Sequence, residues 1–267
     1  MRKHIGLQVA QVLFAVLTYF IIYLPILIIF LISIHGSRFT FESFDFTTRW
    51  YTGIVQDRDL MQAIMVTLQI ALISTFVSTI FGTVFAIGIH SMTKAMRLKM
   101  MMLNNVPVVN PDIVTGIMLF IIFRFVRLSF GFPTMLLAHI FFSIPFVILS
   151  VLPKLKSLDP NLFDAALDLG ATRLKAVFLV IVPSIKVGML AGALIAFTMS
   201  IDDFIISYFM KSGDFHNVST LIYARLRRRA ISPEVFAYNS LIVLVTVAVM
   251  ITFNILNRKD KRKVVLK

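Results

Sequence analysis

The chain has 267 residues, 58% of them hydrophobic and 15% charged, with a mean hydropathy of +0.90. A soluble domain is about half apolar and about a quarter charged, so this composition excludes a single soluble core and leaves lipid as the solvent. The net charge of +13 would suggest nucleic acid in a soluble protein, but here the basic residues collect at the ends of apolar segments, which is the membrane-topology pattern.

A helix needs about 20 apolar residues to cross a hydrocarbon core of about 30 Å. Arg2 and Lys3 followed by an apolar run mimic a signal peptide. The uncharged stretch Val12–Ile34 is too long for a signal core, and no small-residue cleavage pattern follows. It is expected to be a retained first helix, kinked at Pro25. Ala63–Ile89 is the second segment, with Gly82, Ala86 and Gly88 as small faces for close packing. The third is interrupted by Asn104, Asn105, Pro107, Asn110 and Pro111. It predicts a short interfacial helix over Lys94–Leu103, a break, and a crossing from Pro111 to Ser129. Thr134–Leu152, kinked at Pro145, is the fourth; Val187–Met210 is the fifth and Phe236–Leu256 the sixth. Six crossings put both termini on one side. That side carries 16 lysines and arginines against 10 on the other, so both termini are expected in the cytoplasm. The cluster Arg225, Arg227, Arg228 and Arg229 weakens the asymmetry. It suits an interfacial helix whose side chains reach the headgroups, or contact with an acidic partner face.

Between the fourth and fifth segments lies a polar island. Asp159 and Pro160 suit a helix start, Leu162–Leu169 has apolar residues at spacings of three and four, and Gly170 suits a helix end. Thr172 caps a second helix, Leu174–Val182, which Pro183 interrupts. Helix, glycine turn and helix make a rigid knob, and Ala165 and Ala166 keep its profile small enough to enter a partner's groove. An ordinary cytoplasmic hairpin is the plain alternative. The pattern Asp164-Ala165-Ala166, Gly170, Val180, Val182 and Pro183 resembles the cytoplasmic loop of binding-protein-dependent ABC importer permeases. Their pattern is Glu-Ala-Ala, three residues, Gly, nine residues, Ile-x-Leu-Pro. Asp, Val and Val replace Glu, Ile and Leu here. The resemblance implies an ATPase-coupling loop formed by Asp164, Ala165, Ala166, Asp168, Gly170 and Pro183. The chain has no G-x-x-x-x-G-K-[ST], so the chain is expected to be a non-catalytic subunit without a cofactor, with ATP and magnesium on a separate ATPase.

Asp202 and Asp203 fall about 22–24 Å into the fifth segment at 1.5 Å per residue. An isolated Asp at a helix centre costs about 2.5–3.5 kcal/mol on insertion scales. The pair therefore demands a water-filled cavity, cationic side chains such as Arg124 or Arg127, or a cationic substrate. Asp112, after Pro111, either lines a cavity at a broken helix or satisfies a helix dipole. His139 and His90 are expected to pack or sit at an interface. Trp50 and Tyr51 read as belt aromatics or as a docking point for a partner. With no cysteine and no His/Asp/Glu spacing for a metal, no metal site is expected. Ser143, Ser200 and Ser207 show no hydrolase constellation in the sequence.

TTRWYTGIV (47–55), NPDIVTGI (110–117), FTMSIDDFIIS (197–207) and ISPEVFAYNSLIVL (231–244) are similar to the C-type permease subunits of spermidine/putrescine ABC importers, from about Phe41 onward. The resemblance implies an all-α integral membrane protein of six helices with the type I ABC importer permease (MetI-like) fold. One transmembrane domain covers 1–267: a five-helix core over about 61–257, an additional helix at 12–34 and the coupling loop at 153–186. It implies a second, different permease, two copies of an ATPase, an extracytoplasmic polyamine-binding protein, and location in the cytoplasmic membrane, with no nucleic acid. Polyamines pair with carboxylates and with aromatic faces. The expected substrate pathway is Asp112, Asp202, Asp203, Phe197, Tyr208 and Phe209. Rival expectations are another cargo (iron, thiamine or an opine-like cation), a secondary carrier, and a membrane enzyme, for which no catalytic constellation is visible.

Overall fold

The computed structural model describes residues 2–36, 45–213, 215–228 and 232–265, with side chains from residue 11 to residue 248 of these and at Ile251. Phe41, Arg229 and Ile231, which figure in the sequence reading, lie outside the described residues. Helices account for nearly all the regular structure. An isolated bridge between His35 and Phe46 is the β pairing found among the described residues. Backbone polar groups satisfied within each segment are what hydrocarbon requires.

In chain order the helices begin with α1 (Arg2–Ser33), α2 (Arg49–Gln56), α3 (Arg58–Ser91), α4 (Lys94–Val109), α5 (Asp112–Phe125) and α6 (Phe132–Lys156). Next come α7 (Asn161–Asp168), α8 (Arg173–Ala176), a π turn (Val177–Ile181) and α9 (Val182–Ser184). The chain ends with α10 (Lys186–Asp202), α11 (Ile205–Met210), α12 (Val218–Arg227) and α13 (Pro233–Val265). Among the described residues three helices are long and apolar enough to cross a membrane: Gln11–Ser33 of α1, α3 and α6. Two bent pairs raise this to five if each is one span: α4 with α5 at 102°, and Arg173–Ser184 with α10 at 70°. Pro233–Ala248 of α13 is a shorter apolar helix.

The chain departs from expectation at its breaks. Helix α4 continues through Pro107 to Val109, and the break falls at Asn110 and Pro111. Asn104 donates to the Pro145 carbonyl at 3.4 Å, tying α4 to α6. The fifth apolar segment is not continuous to Met210, because α10 stops at Asp202 and Asp203 is extended.

The chain forms two compact units. The first comprises residues 1–61 and 225–267. In it α13 packs against α1 and α2. Trp50 is buried, donates to the His35 carbonyl at 2.8 Å and carries the Arg49 guanidinium 4.2 Å above its ring. Tyr51 bonds Ser33 at 2.9 Å. These contacts make Trp50 a packing residue, rather than a belt aromatic or docking point. The first unit also accounts for Arg225. Its guanidinium forks onto Asp57 at 2.6 and 2.9 Å and reaches Ser232 at 3.3 Å. Asp57 also accepts the Leu60 N–H at the start of α3. These hydrogen bonds hold the Asp57 carboxyl below its usual range and raise Arg225. Arg227 and Arg228 remain exposed.

The second unit, residues 62–224, is built on α6. One core cluster joins Ala86 and Ile89 of α3, Val147 to Leu155 of α6, Ile181, Ile185 and Ala196. Small residues allow the close approach: a Cβ on Gly82 would lie 2.6 Å from the Val147 Cβ, and one on Gly192 would lie 3.1 Å from its Cα. Gly88, also expected to allow close packing, borders open space instead. A second cluster joins Val66 and Ile70 of α3, Leu119 and Phe123 of α5, Met135, Ala138 and Phe142 of α6, and Ile206 and Met210 of α11.

Candidate functional site

Two places in the second unit carry the candidate residues. The first is the knob of α7 and α8. Asp159 accepts the Asn161 N–H at 2.9 Å beside the start of α7. At the other end Gly170 N–H bonds the Leu167 carbonyl and Ala171 N–H the Ala166 carbonyl, at 2.9 and 3.1 Å. This double bond pair is a Schellman cap, which needs a left-handed residue, and Gly170 has φ +85°. Thr172 then accepts the Lys175 N–H and starts α8. Asp164, Ala165, Asp168, Gly170 and Pro183 are exposed. Ala166 is not: it is 7% exposed and faces inward. Its small size therefore serves the knob's own packing, and Ala165 is the alanine on the outer surface. Apolar side chains do stand outside the knob, with Leu169 90% exposed and Leu174, Phe178 and Leu179 also in the open.

The π turn gives the following arm its direction. Ala176, Ile181 and Ile185 are all buried. In an α-helix residues five apart point about 140° from each other. The wider turn at Val177–Ile181 brings Ile181 back to the face of Ala176.

The second place is the break at Asp203. Its Oδ1 accepts the Ile206 N–H at 3.2 Å and its Oδ2 the Ser207 N–H at 2.7 Å. Oδ2 also lies 3.4 Å from His139 Nε2, and the carboxylate is 7% exposed. His139, 1% exposed, bonds Ser207 through the same nitrogen at 3.0 Å and Ser200 through Nδ1 at 2.6 Å. Ser200 in turn meets Ser74 of α3 at 3.3 Å. Asn217 donates to Ser207 at 2.9 Å and to the Asp203 carbonyl at 3.3 Å. Its own Oδ1 accepts from Thr220 N–H and hydroxyl. Because a carboxylate only accepts, the Asp203 contact calls for the imidazole proton on Nε2.

This network corrects three expectations. Asp203 is partnered by His139, while Arg124 and Arg127 are exposed. His139 is the hub of a polar network rather than a simple packing residue. Ser200, His139 and Asp203 do make the sequence of contacts found in hydrolytic triads, but the Ser200 hydroxyl is 1% exposed and shared with Ser74.

Asp202 is exposed at the end of α10, in contrast to its neighbour. Two residues along the chain, Phe204 forms an aromatic group with Tyr208 and Tyr223, with centroids 5.0 to 5.6 Å apart. The Lys211 ammonium sits 5.5 Å above the Tyr208 ring, within cation–π range. Tyr223 escaped the sequence reading, while Phe204, visible in SIDDF beside the two aspartates, was left off the expected pathway. Phe209 belongs elsewhere. It packs on the second core cluster, 6.3 Å from Phe120 and against Gly116. Phe197 is half-buried, and Asp112 is exposed at the start of α5. Among the described residues no group of His, Asp or Glu is arranged to hold a metal.

Residues 78–262 match the family described as the binding-protein-dependent transport system inner membrane component. The chain is 30% identical over 245 residues to the spermidine/putrescine transport system permease protein PotC of Escherichia coli (strain K12), covering 92% of each. It is 28% identical over 262 residues to the putrescine transport system permease protein PotI of the same strain, covering 95% of this chain and 93% of that one. Its fold is similar to a chain of a bacterial ABC transporter involved in the import of the acidic polysaccharide alginate, with TM-score 0.68 at 17% identity, covering 97% and 99%. A second structure of a bacterial alginate ABC transporter, in complex with an alginate pentasaccharide-bound periplasmic protein, gives 0.66 at 17% identity, covering 94% and 93%.

Proposed function

We propose, on the premise that this chain belongs to the family of binding-protein-dependent transport system inner-membrane components, that it is the polyamine-translocating permease of an ATP-driven importer. The observation that carries the cargo is the similarity to PotC and PotI over more than nine-tenths of the chain. The chemistry agrees with it. Asp202 is an exposed carboxylate, and at the membrane depth this reading gives it, facing lipid would cost about 2.5–3.5 kcal/mol on insertion scales. Facing a water-filled path, it meets an alkylammonium. In this reading Tyr208, packed with Phe204 and Tyr223, offers aromatic faces to the same path, and Asp112 and Phe197 extend it. Asp203 and Phe209 support this path from within the fold.

In this reading each bent pair is one span and α13 is the sixth, with both termini in the cytoplasm as the basic residues direct. The knob of α7 and α8 then faces a cytoplasmic ATPase, whose groove takes Ala165, Leu169 and Leu174. The complex comprises a second, different permease, two ATPase subunits carrying ATP and magnesium, and an extracytoplasmic polyamine-binding protein. ATP-driven closure of the ATPase pair favours one arrangement of the knobs, and the spans follow as semi-rigid bodies.

The test is ATP-dependent uptake of labelled spermidine by proteoliposomes holding the complex purified through this subunit. Asp202→Asn is expected to lower uptake by about tenfold or more while assembly and basal ATPase activity persist. A wild-type complex that binds its ATPase yet ignores spermidine and putrescine overturns the polyamine cargo and leaves the importer permease.

A further inference from the structure

Asp202 and Asp203 are adjacent in sequence and opposite in environment. One carboxylate is exposed, while the other is 7% exposed and bonded on both oxygens. On an unbroken helix the two would point about 100° apart from the same turn. Here the chain leaves the helix at Asp203, with φ −64° and ψ 127°. The turn carries the Asp203 side chain inward and starts α11 on it.

What waits inside is the ring of His139. It comes from α6, the helix that packs against both α10 and α11. Its Nδ1 holds Ser200, in the last turn of α10. Its Nε2 holds Ser207, in α11, and lies against the Asp203 carboxylate at the junction. One imidazole thus touches the helix before the break, the break itself and the helix after it. The ring and Ser200 are each 1% exposed, so these contacts are made where a polar group left unpaired is costly. Without the ring the Asp203 carboxylate keeps its two backbone N–H groups and the Ser207 side chain but loses the imidazole at 3.4 Å. A continuous α10–α11 helix, with both carboxylates off the network, then becomes a competing arrangement.

We infer that His139 is a positioning residue for transport: by drawing Asp203 into the α6–α10–α11 junction it fixes the break and leaves Asp202 as the carboxylate of the pair that meets the solute. The inference rests on the reading of the Asp202 face as the transport path. It assigns the two aspartates different work, one binding and one structural.

The absence of cysteine from the chain makes a direct test available. Single cysteines are placed at 202 and at 203 in the assembled complex, and their modification by a cationic methanethiosulfonate reagent is timed on this subunit by mass spectrometry. Asp202→Cys is expected to react about tenfold or more faster than Asp203→Cys, the protection a locally closed site gives. In the Asp202→Cys chain, His139→Leu is expected to change that rate severalfold. His139→Gln, whose amide nitrogen reaches toward Asp203 and Ser207 as Nε2 does, is expected to restore it. Thermal melting of each variant is followed in parallel. A His139→Leu variant that melts earlier but labels at the same rate shows a merely structural histidine and overturns the inference. Equal labelling at 202 and 203 overturns it as well, and that comparison stands even if His139→Leu fails to assemble. The expected labelling of the cysteine variants, together with a wild-type complex that takes up no spermidine, overturns the polyamine reading and keeps the positioning role.

Discussion

Asp57 illustrates how a single residue binds chain ends together. It caps α3 through Leu60, takes both arms of Arg225, and through that guanidinium is linked to Ser232 before α13. Because Arg225 holds its carboxyl below the usual range, the proton-linked stability has a defined sign. It is fully present above the unfolded value of about 3.9 and is lost as pH falls through the lower folded value. The melting temperature of the purified complex is therefore expected to drop between about pH 5 and pH 3 less steeply in Arg225→Met than in the wild type. At neutral pH the same variant is expected to cost about 1 kcal/mol, as a charge-assisted but partly solvated pair does. Coincident acid slopes in the two proteins would remove the pair from the account. At this scale the sequence was only half legible. It placed Arg225 in a basic cluster without finding its partner, which lies 168 positions away in the chain.

At the scale of elements, α6 is the member on which the second unit is assembled, and glycine sets how closely its neighbours come. Val147 fills the space left by Gly82 on α3 and Gly192 on α10. Gly82→Leu would put a Cβ 2.6 Å from the Val147 Cβ, backed by a further three carbons. Overpacking of this kind is expected to cost about 1–3 kcal/mol, read as a lower melting temperature of the complex. A compensating Val147→Ala is expected to recover part of that loss; no recovery would mean that the contact at Gly82 is not the cause. Helix existence in these regions was legible from apolar length. The positions of the breaks were not, because length and hydropathy cannot say whether Pro107 or Pro111 stops a helix. Here α4 tolerates Pro107 and keeps its Asn104 bond to α6.

For the whole molecule, the membrane class and the knob were legible for a physical reason: both are written locally. The class lies in uninterrupted apolar runs. The knob lies in the spacing of Asp159, Gly170 and Thr172, each of which does near-range work in the cap or turn where it stands. The work of Asp202 and Asp203 was not legible, since which neighbour turns inward is decided by His139, more than 60 residues earlier. The inward face of Ala166 was missed because it depends on how α7 folds back on α8 and the π turn. The exposed apolar tip leads to a prediction for the assembly. Leu169→Asp is expected to lower ATPase retention during purification several-fold while the subunit remains folded, because it places a charge where an apolar contact of about 1.5–3 kcal/mol is buried. Undiminished ATPase retention would take Leu169 out of the contact.

The π turn of the arm has a consequence for how this protein tolerates change. It stores one surplus residue between Ala176 and Ile185, so the arm keeps its angular phase by counting residues. Exchanges of one side chain for another leave that count alone. A further one-residue insertion between 177 and 181 acts as a frameshift in three dimensions, turning one end of the arm by about 100° relative to the other, whereas a deletion there removes the surplus and leaves Ala176 and Ile181 four apart on one face of an ordinary α-helix.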